Sequence, residues 1–427
     1  METAEGDRAS GVTPRGDEHP VARAERDAEV ARSSTPGSEN VSVWLDPARC
    51  SLEDFRALVE RETDVATVPL AAEVIEGIPA YEGVAIRSSL GDDERARAFM
   101  AEWNRVFADG PGILVVRGAC TDTALLDEVT AALSELIERE ARAGTGRGDH
   151  FAPAGANSRL WNAHEKLCIA DPELFARYNA NPIVPLVSRA WLGPGYQITT
   201  QVNVVRPGGQ AQSCHRDYHM GFQRLEELAR YPASVHRLSA ALTLQGAIAH
   251  SDMPVESGPT KLLPYSQRYL PGYLATHVEA FRDYFESRFV QLPLSKGDAL
   301  FFNPAVFHAA GSNRTRDVQR FANLMQIGSG YGRSIEIVDR HRMSLALYPT
   351  LAGLARAGEL NAREVADVVA ACAEAYPFPA NLDTDSPLEG MAPPSQQDLL
   401  RRALAESWST ETFRDALEAQ RARRHSH

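Results

Sequence analysis

Between about residue 196 and residue 332 the chain is cut into short apolar runs, each closed by a turn signal. The first run, Gln197-Ile198-Thr199-Thr200-Gln201-Val202-Asn203-Val204-Val205, is β-branched and partly alternating. Leu238, Ala240, Leu242 and Leu244 then alternate with Ser239, Ala241, Thr243 and Gln245, the period of a half-buried strand. Lys261-Leu262-Leu263, Ala299-Leu300-Phe301-Phe302 and Phe321 to Ile327 extend the series, with Ser257-Gly258-Pro259 and Lys296-Gly297-Asp298 as turns between them. Short strands joined by turns, without regular intervening helices, predict an antiparallel sandwich or barrel.

The flanks read differently. Residues 1–40 carry Gly, Ser, Pro, Glu and Arg and almost no large apolar side chains, so they bury too little surface to offset ordering and read as a disordered tail. Order is expected to begin near Val41-Ser42-Val43-Trp44-Leu45. Phe99, Trp103, Val106 and Phe107 share a helical face; Gly110-Pro111-Gly112 ends that helix, and Ile113-Leu114-Val115-Val116 reads as a buried strand. Leu126, Val129, Leu133, Leu136 and Ile137 mark a second amphipathic helix, which makes the N-terminal part α-rich. Residues 336–427 read as a helical C-terminal extension: Asn361 with Glu364 forms a capping box, and Ser395 precedes the stripe Leu400, Leu404, Trp408. The predicted organisation is a tail over 1–40, one domain over 41–335 with its β core at about 196–332, and the extension.

Charge and cysteine usage narrow the partners. A formal charge of −13 opposes phosphate backbones and anionic lipid surfaces, so neither nucleic acid nor membrane is an expected partner. The opening residues Met1-Glu2-Thr3-Ala4-Glu5-Gly6-Asp7 lack the apolar region of a secretory signal, and no run approaches the roughly 20 apolar residues of a bilayer span. The five scattered cysteines form no CxxC and read as reduced thiols of a cytoplasmic protein.

Within the β-rich region, His215-Arg216-Asp217 places an imidazole and a carboxylate two residues apart, hence on one face of an extended segment. His308, in the apolar run Phe301 to His308, adds a second imidazole from a distant strand. Two histidines and one carboxylate on one side of a metal suit non-heme Fe(II), with open positions for a cosubstrate and O2. A lone strand histidine is more often a core residue, so His308 gains weight only from its companions. Arg320, at the start of the following strand, offers a rigid fork for a carboxylate, with a structural ion pair as the rival use. His250-Ser251-Asp252 is a second HxD, but it runs into a Pro- and Gly-rich turn where Asp252 has a local role. His219 extends the first motif and is expected to line a substrate pocket rather than bind metal.

Taken in order, His215-Arg216-Asp217, the run Asp252 to Ser266 with Gly258-Pro259 and Pro264, the Gly297-Asp298 turn, His308, Gly311-Ser312-Asn313-Arg314 and Arg320 resemble the phytanoyl-CoA dioxygenase family of Fe(II)/2-oxoglutarate oxygenases. The resemblance covers about residues 95–335. It implies a mainly β core, a double-stranded β-helix (jelly-roll, cupin-like) with flanking α-helices. It also implies Fe(II) on His215, Asp217 and His308, 2-oxoglutarate chelating the iron, Arg320 on its far carboxylate, and O2 as oxidant. Gln201 and Asn203 match positions where the family contacts the cosubstrate. Two departures concern the anchor: Ala310 stands where the family often has Ser or Thr, and the His308-to-Arg320 spacing leaves Arg316 as a rival.

The implied reaction is hydroxylation of an unactivated C–H in a small organic molecule, with succinate and CO2 released. Asp217 favours this over halogenation, for which related enzymes replace the carboxylate with a small residue. Desaturation or ring formation would use the same metal ligands. A redox-silent cupin-type isomerase or hydrolase is the alternative, since His/Asp/His also suits Zn or Mn, and a non-catalytic binding protein is a third. Candidate pocket walls are the stretch Phe151 to Cys168, with Trp161, Asn162, His164 and Lys166, together with Tyr218, His219 and Phe222. Gly328-Ser329-Gly330-Tyr331-Gly332 lacks a P-loop lysine.

Overall fold

The computed structural model describes residues 43–145, 157–387 and 390–425. The expected tail over 1–40 lies outside the described residues, as do residues 151–156 of the candidate pocket stretch. The chain divides into Met1–Val43 and Trp44–His427, and every element below belongs to the second unit.

Ten strands are found among the described residues: β1 (Glu73–Ile75), β2 (Ile78–Glu82), β3 (Ile113–Arg117), β4 (Asn157–Leu160), β5 (Gln197–Val205), β6 (Thr243–Ala249), β7 (Lys261–Leu263), β8 (Ala299–Phe302), β9 (Phe307–Ala309) and β10 (Arg320–Gly328). Eight of them form one mixed sheet in the order β1-β2-β3-β8-β6-β10-β5-β4, antiparallel except between β2 and β3. β7 and β9 form a second, small antiparallel sheet, widened by bridges from His308 to His215 and from Leu262 to Val290.

Strand alternation separates two cores across the large sheet. Phe301, Phe321, Met325 and Ile327 pack into the core shared with the helices Asp93–Ala108, Thr123–Ala143 and Ile183–Leu192. Leu300, Phe302, Ala249 and Ala322 instead join Ile113, Val115, Met253, Leu292 and Leu294 on the side of the small sheet. One face of the sheet is thus covered by helices, and the other lines the space where functional side chains gather.

The expected helices over Phe99–Phe107, Leu126–Ile137, Val365–Cys372 and Leu400–Leu404 form as Asp93–Ala108, Thr123–Ala143, Ala362–Cys372 and Gln396–Ala405. The predicted capping box of Asn361 with Glu364 is present, and Ser395, expected only to precede its helix, forms a second box with Asp398. One reading is corrected. The alternating run from Leu238 is not all strand: Ala233–Ala241 is helical and β6 begins only at Thr243. Leu238 is exposed on that helix, and Pro232 precedes its first turn, so Leu and Ala alternating with Ser and Ala there is helical sequence of low polarity contrast. The helix Glu279–Arg288 also interrupts the β region, contrary to the expectation of no regular helix.

The C-terminal helices are tied to the sheet. Arg340, at the start of the helix Arg340–Ala357, is buried and donates to the carbonyls of Ile198 in β5 (2.8 Å), Ala371 (3.2 Å) and Cys372 (3.3 Å). Among the described residues no helix is long and apolar enough to cross a membrane. All five cysteines are free thiols. Leu351, fully buried on the Arg340–Ala357 helix, is part of this same core. Leu351→Ala is expected to lower unfolding free energy by about 2–5 kcal/mol, measured by urea titration.

Candidate metal centre

The metal-binding candidates meet because two segments form one narrow backbone pair. His215 N–H donates to His308 O (3.0 Å) and His308 N–H donates back to His215 O (3.1 Å). Asp217 N–H then donates to Pro304 O at 3.1 Å. This short pairing brings one ligand atom of each of His215, Asp217 and His308 within 4.8 Å of the others, and it is the one such cluster of three among the described residues.

Ring orientation follows from local hydrogen bonds. His215 Nδ1 lies 2.8 Å from Ser213 O, and His308 Nδ1 lies 2.9 Å from Val306 O. A carbonyl only accepts, so each Nδ1 carries the proton and each Nε2 turns its lone pair toward the cluster. Those Nε2 atoms sit 3.6 Å (His215) and 3.3 Å (His308) from the two oxygens of Asp217. Burial, reinforced by neighbouring His308, holds the His215 imidazole below its ordinary pKa and keeps the lone pair free. Burial opposes ionisation of Asp217, but His215, His308 and the Gln245 hydrogen bond outweigh it and hold the carboxyl below the usual carboxylate range. Gln245 Nε2 donates to Asp217 Oδ2 at 2.5 Å. Two imidazole lone pairs and a carboxylate facing one point repel one another unless a cation lies between them, so this donor set fits a divalent metal.

The cluster opens into a cavity of about 570 Å³. Strand register orders its walls, because Arg320, Ala322, Leu324 and Gln326 alternate along β10 and all line it. Their partners on β5 are Val205, Asn203, Gln201 and Thr199, and Ala322, Leu324 and Gln326 meet Ala249, Ala247 and Gln245 of β6. Asn203 therefore sits two pairs along the ladder from Arg320, and Gln201 two pairs further toward Gln326. Arg320 is buried; its guanidinium donates to Ser257 O at 3.3 Å, and burial pushes its pKa down to about 10. No carboxylate of the described residues pairs with it. Arg316 is exposed and does not line the cavity, whereas Ala310 does.

The turns read from the sequence support this end. Gly258 has φ +73°, and a β-carbon there would overlap the Ser312 carbonyl, so the turn that supplies Ser257 O needs glycine. Asp298 accepts from Ser295 N within its own turn (2.9 Å) and from Gly118 N just after β3 (2.7 Å).

Several candidates lie elsewhere. Trp161 and Phe222 line the cavity, but Tyr218 and His219 do not; His219 faces a separate surface groove with Met220, Tyr231 and Leu238. Tyr218 and His219 have φ of 63° and 43°, so the chain leaves the extended path immediately after Asp217 and the period-2 extension to His219 fails. His164 is buried against Ala371 O, Lys166 pairs with Glu140, and Asn162 sits at a helix N-terminus with its backbone N–H donating to Glu336 and its side-chain amide to Glu165. His250 is consumed by a buried chain: its Nδ1 is 2.8 Å from Thr130 Oγ1 and its Nε2 2.9 Å from Tyr178 OH, which accepts from Asn323. Asp252 is exposed and accepts from Lys296 N. Gln245, Gln326 and Thr260 line the cavity without having been sequence candidates, whereas Arg159, which also lines it, falls in the expected Phe151–Cys168 stretch. Gln245 was legible as the polar alternate of a strand, but that alternation assigns its face to solvent.

A strand-register cavity with a two-histidine, one-carboxylate cluster at its wall defines a candidate mononuclear metal protein. A family model for phytanoyl-CoA dioxygenase (PhyH) matches residues 108–322, just over half of the chain, and the chain belongs to that family. Fe(II), 2-oxoglutarate and O2 are the cofactor and cosubstrates that accompany this membership. No curated protein matches. Among solved structures, the non-heme alpha ketoglutarate dependent epimerase SnoN from nogalamycin biosynthesis is 17% identical, with TM-score 0.40 over 55% of this chain and 82% of that one. The carbocyclase SnoK from the same biosynthesis is 18% identical, with TM-score 0.41 over 55% of this chain and 86% of that one. At these values the likenesses add nothing to the family assignment.

The buried neutral histidines outside the cluster give a pH signature. Burial pushes His164 and His250 down to about 3 from 6.5. Between those values the unfolded chain binds more protons, so stability falls as pH drops from 6.5 toward 3. His250→Gln is expected to flatten this slope by up to about 1.4 kcal/mol per pH unit, measured by urea unfolding at stepped pH; an unaltered slope would contradict the buried neutral assignment.

Proposed function

We propose that this chain is an Fe(II)- and 2-oxoglutarate-dependent dioxygenase that hydroxylates an unactivated C–H of a small organic metabolite. The observation that carries the reading is the convergence of His215, Asp217 and His308, with both imidazoles fixed through Nδ1, on a cavity that also contains Arg320, which has no carboxylate partner among the described residues. The strand order supports a double-stranded β-helix: β8, β6, β10 and β5 form one wall, and the His215 segment, β9, β7 and Val290 form the other.

His215, Asp217 and His308 would hold the metal, and iron would supply O2 activation and C–H oxidation coupled to conversion of 2-oxoglutarate to succinate and CO2. Arg320 would neutralise the far carboxylate of 2-oxoglutarate, with Ser257 O holding one arm of its fork. Asn203 lies at the Arg320 end and suits the cosubstrate. Gln201 is already engaged by Arg159 (3.2 Å) and lies toward Gln326, so it serves the boundary between cosubstrate and substrate. Gln245 would keep Asp217 ionised and oriented. Trp161, Phe222 and Ile335 line the cavity too, where they would position the substrate and exclude water.

Fe(II) and 2-oxoglutarate added without oxygen are expected to give a visible charge-transfer band, and admitting air is expected to yield succinate. Asp217→Ala should remove both signals while the protein stays folded by circular dichroism. Absence of band and succinate in the folded wild type would refute the proposal. Arg320→Met should keep iron but raise the 2-oxoglutarate concentration for half-maximal band intensity by about 10–100-fold, the loss of a charge-assisted hydrogen bond; Arg316→Met should leave it unchanged.

A further inference from the structure

Arg216 stands between two metal-ligand candidates, yet its side chain does other work. It is 3% exposed, and among the described residues no carboxylate pairs with it. A buried guanidinium without an acid is unfavourable unless its surroundings compensate, and a hydrophobic side chain would fill the same volume without that penalty. Here carbonyls and aromatic faces compensate in part, and Nε has no hydrogen-bond partner among the described residues. Arg216 Nη2 donates to Ser266 O at 2.5 Å and to Tyr269 O at 2.9 Å. The guanidinium carbon lies 5.1 Å from the ring centre of Tyr273 and 5.2 Å from that of Phe307. A β-carbon at Gly272 would overlap the guanidinium, so the next helical turn is cut away to admit it.

The contacts link the two ligand segments a second time. Phe307 immediately precedes His308, and its N–H donates to Ser266 Oγ at 2.7 Å. The residue-266 turn therefore holds Arg216 through its carbonyl and the His308 strand through its hydroxyl. The need for such a fastening is local. His215 makes only an isolated bridge to His308, not a full strand ladder, and the backbone turns to positive φ at Tyr218 directly after Asp217. Beyond this bridge and the Asp217 N–H bond to Pro304 O, no strand ladder among the described residues holds residues 215–217.

We propose that Arg216 is a positioning residue: its guanidinium, locked between the 266–269 carbonyls and the rings of Tyr273 and Phe307, sets the orientation of His215 and Asp217 toward His308. This rests on the metal reading of the site. Because alternation sends Arg216 opposite to its neighbours, holding its side chain fixes the rotation of the segment about its own axis. Lysine retains the charge but cannot reach two carbonyls while lying flat between two rings.

The test is Co(II) binding to the full chain, read by visible absorption whose intensity and shape report coordination geometry, with thermal unfolding of the metal-free protein alongside. Arg216→Lys and Gly272→Ala are expected to weaken Co(II) binding by about 10–100-fold and to alter the spectrum. Arg340→Lys is the control: that guanidinium is also buried on carbonyls, but it is held by Ile198, Ala371 and Cys372, outside the cavity lining. It should lower the unfolding temperature and leave Co(II) affinity and spectrum unchanged. Wild-type Co(II) affinity and spectrum in Arg216→Lys, or an equal loss in Arg340→Lys, would overturn the inference. Wild-type protein that binds neither Co(II) nor Fe(II) would overturn the metal reading as well, which separates the two failures. Should Arg216→Lys not fold, Gly272→Ala decides the question, because it keeps the arginine and displaces it by one β-carbon.

Discussion

The structure of the site depends on two backbone hydrogen bonds between His215 and His308. They are the narrow pair of an antiparallel bridge, and they set two residues separated by more than ninety positions at a fixed distance. Once they form, His215 and His308 lie side by side and the Asp217 N–H bond to Pro304 O continues the pairing, leaving the facing of the segment to the side-chain contacts around it. The Nδ1 bonds to Ser213 and Val306 then rotate the rings, and Gln245 orients the carboxylate from the opposite wall. Each later constraint acts on a side chain already delivered by the bridge.

That bridge belongs to the weaker of the two sheets. β10, flanked by β5 and β6 over long registers, is rigid, and it carries Arg320 and the polar row of the cavity. The small sheet has only three-residue strands and isolated bridges. A site divided in this way requires side-chain fastening on the thin side, which is where Ser266, Tyr269, Tyr273 and Phe307 enclose Arg216. Precision at the ligands is therefore a property of tertiary packing on one wall and of strand register on the other.

This division explains what the sequence disclosed. His215, Asp217 and His308 were legible because two-residue spacing and a strand-borne histidine are local patterns, and the turns at Gly258 and Gly297 were legible because positive φ demands glycine. Gln245 was misassigned for a physical reason: period 2 states that two faces differ but not which one meets solvent, and here the polar face lines an internal cavity. His219 was misplaced because extrapolation along a strand assumes continued extension, and Tyr218 ends it. The fate of His250 depends on Thr130 and Tyr178, which only the fold brings near. The jelly-roll expectation came from family resemblance; the runs themselves predicted only antiparallel strands and gave no sign of the Glu279–Arg288 helix inserted among them.

Three buried arginines sharpen the reading of the cavity. Arg216 has two carbonyls on Nη2 and two aromatic faces, with Nε left without a hydrogen-bond partner among the described residues, and Arg340 has three carbonyls. Arg320 is buried to the same degree yet makes one hydrogen bond of 3.3 Å, and burial is the sole cause lowering its pKa. The several contacts given to each of these two guanidiniums reflect what the cost of burial demands. The under-satisfied third one faces the cavity beside Asn203 and the Ser257 turn, where an anionic ligand would complete its hydrogen bonds. The contrast among the three, more than the burial of any one, supports the role proposed for Arg320 toward a ligand carboxylate.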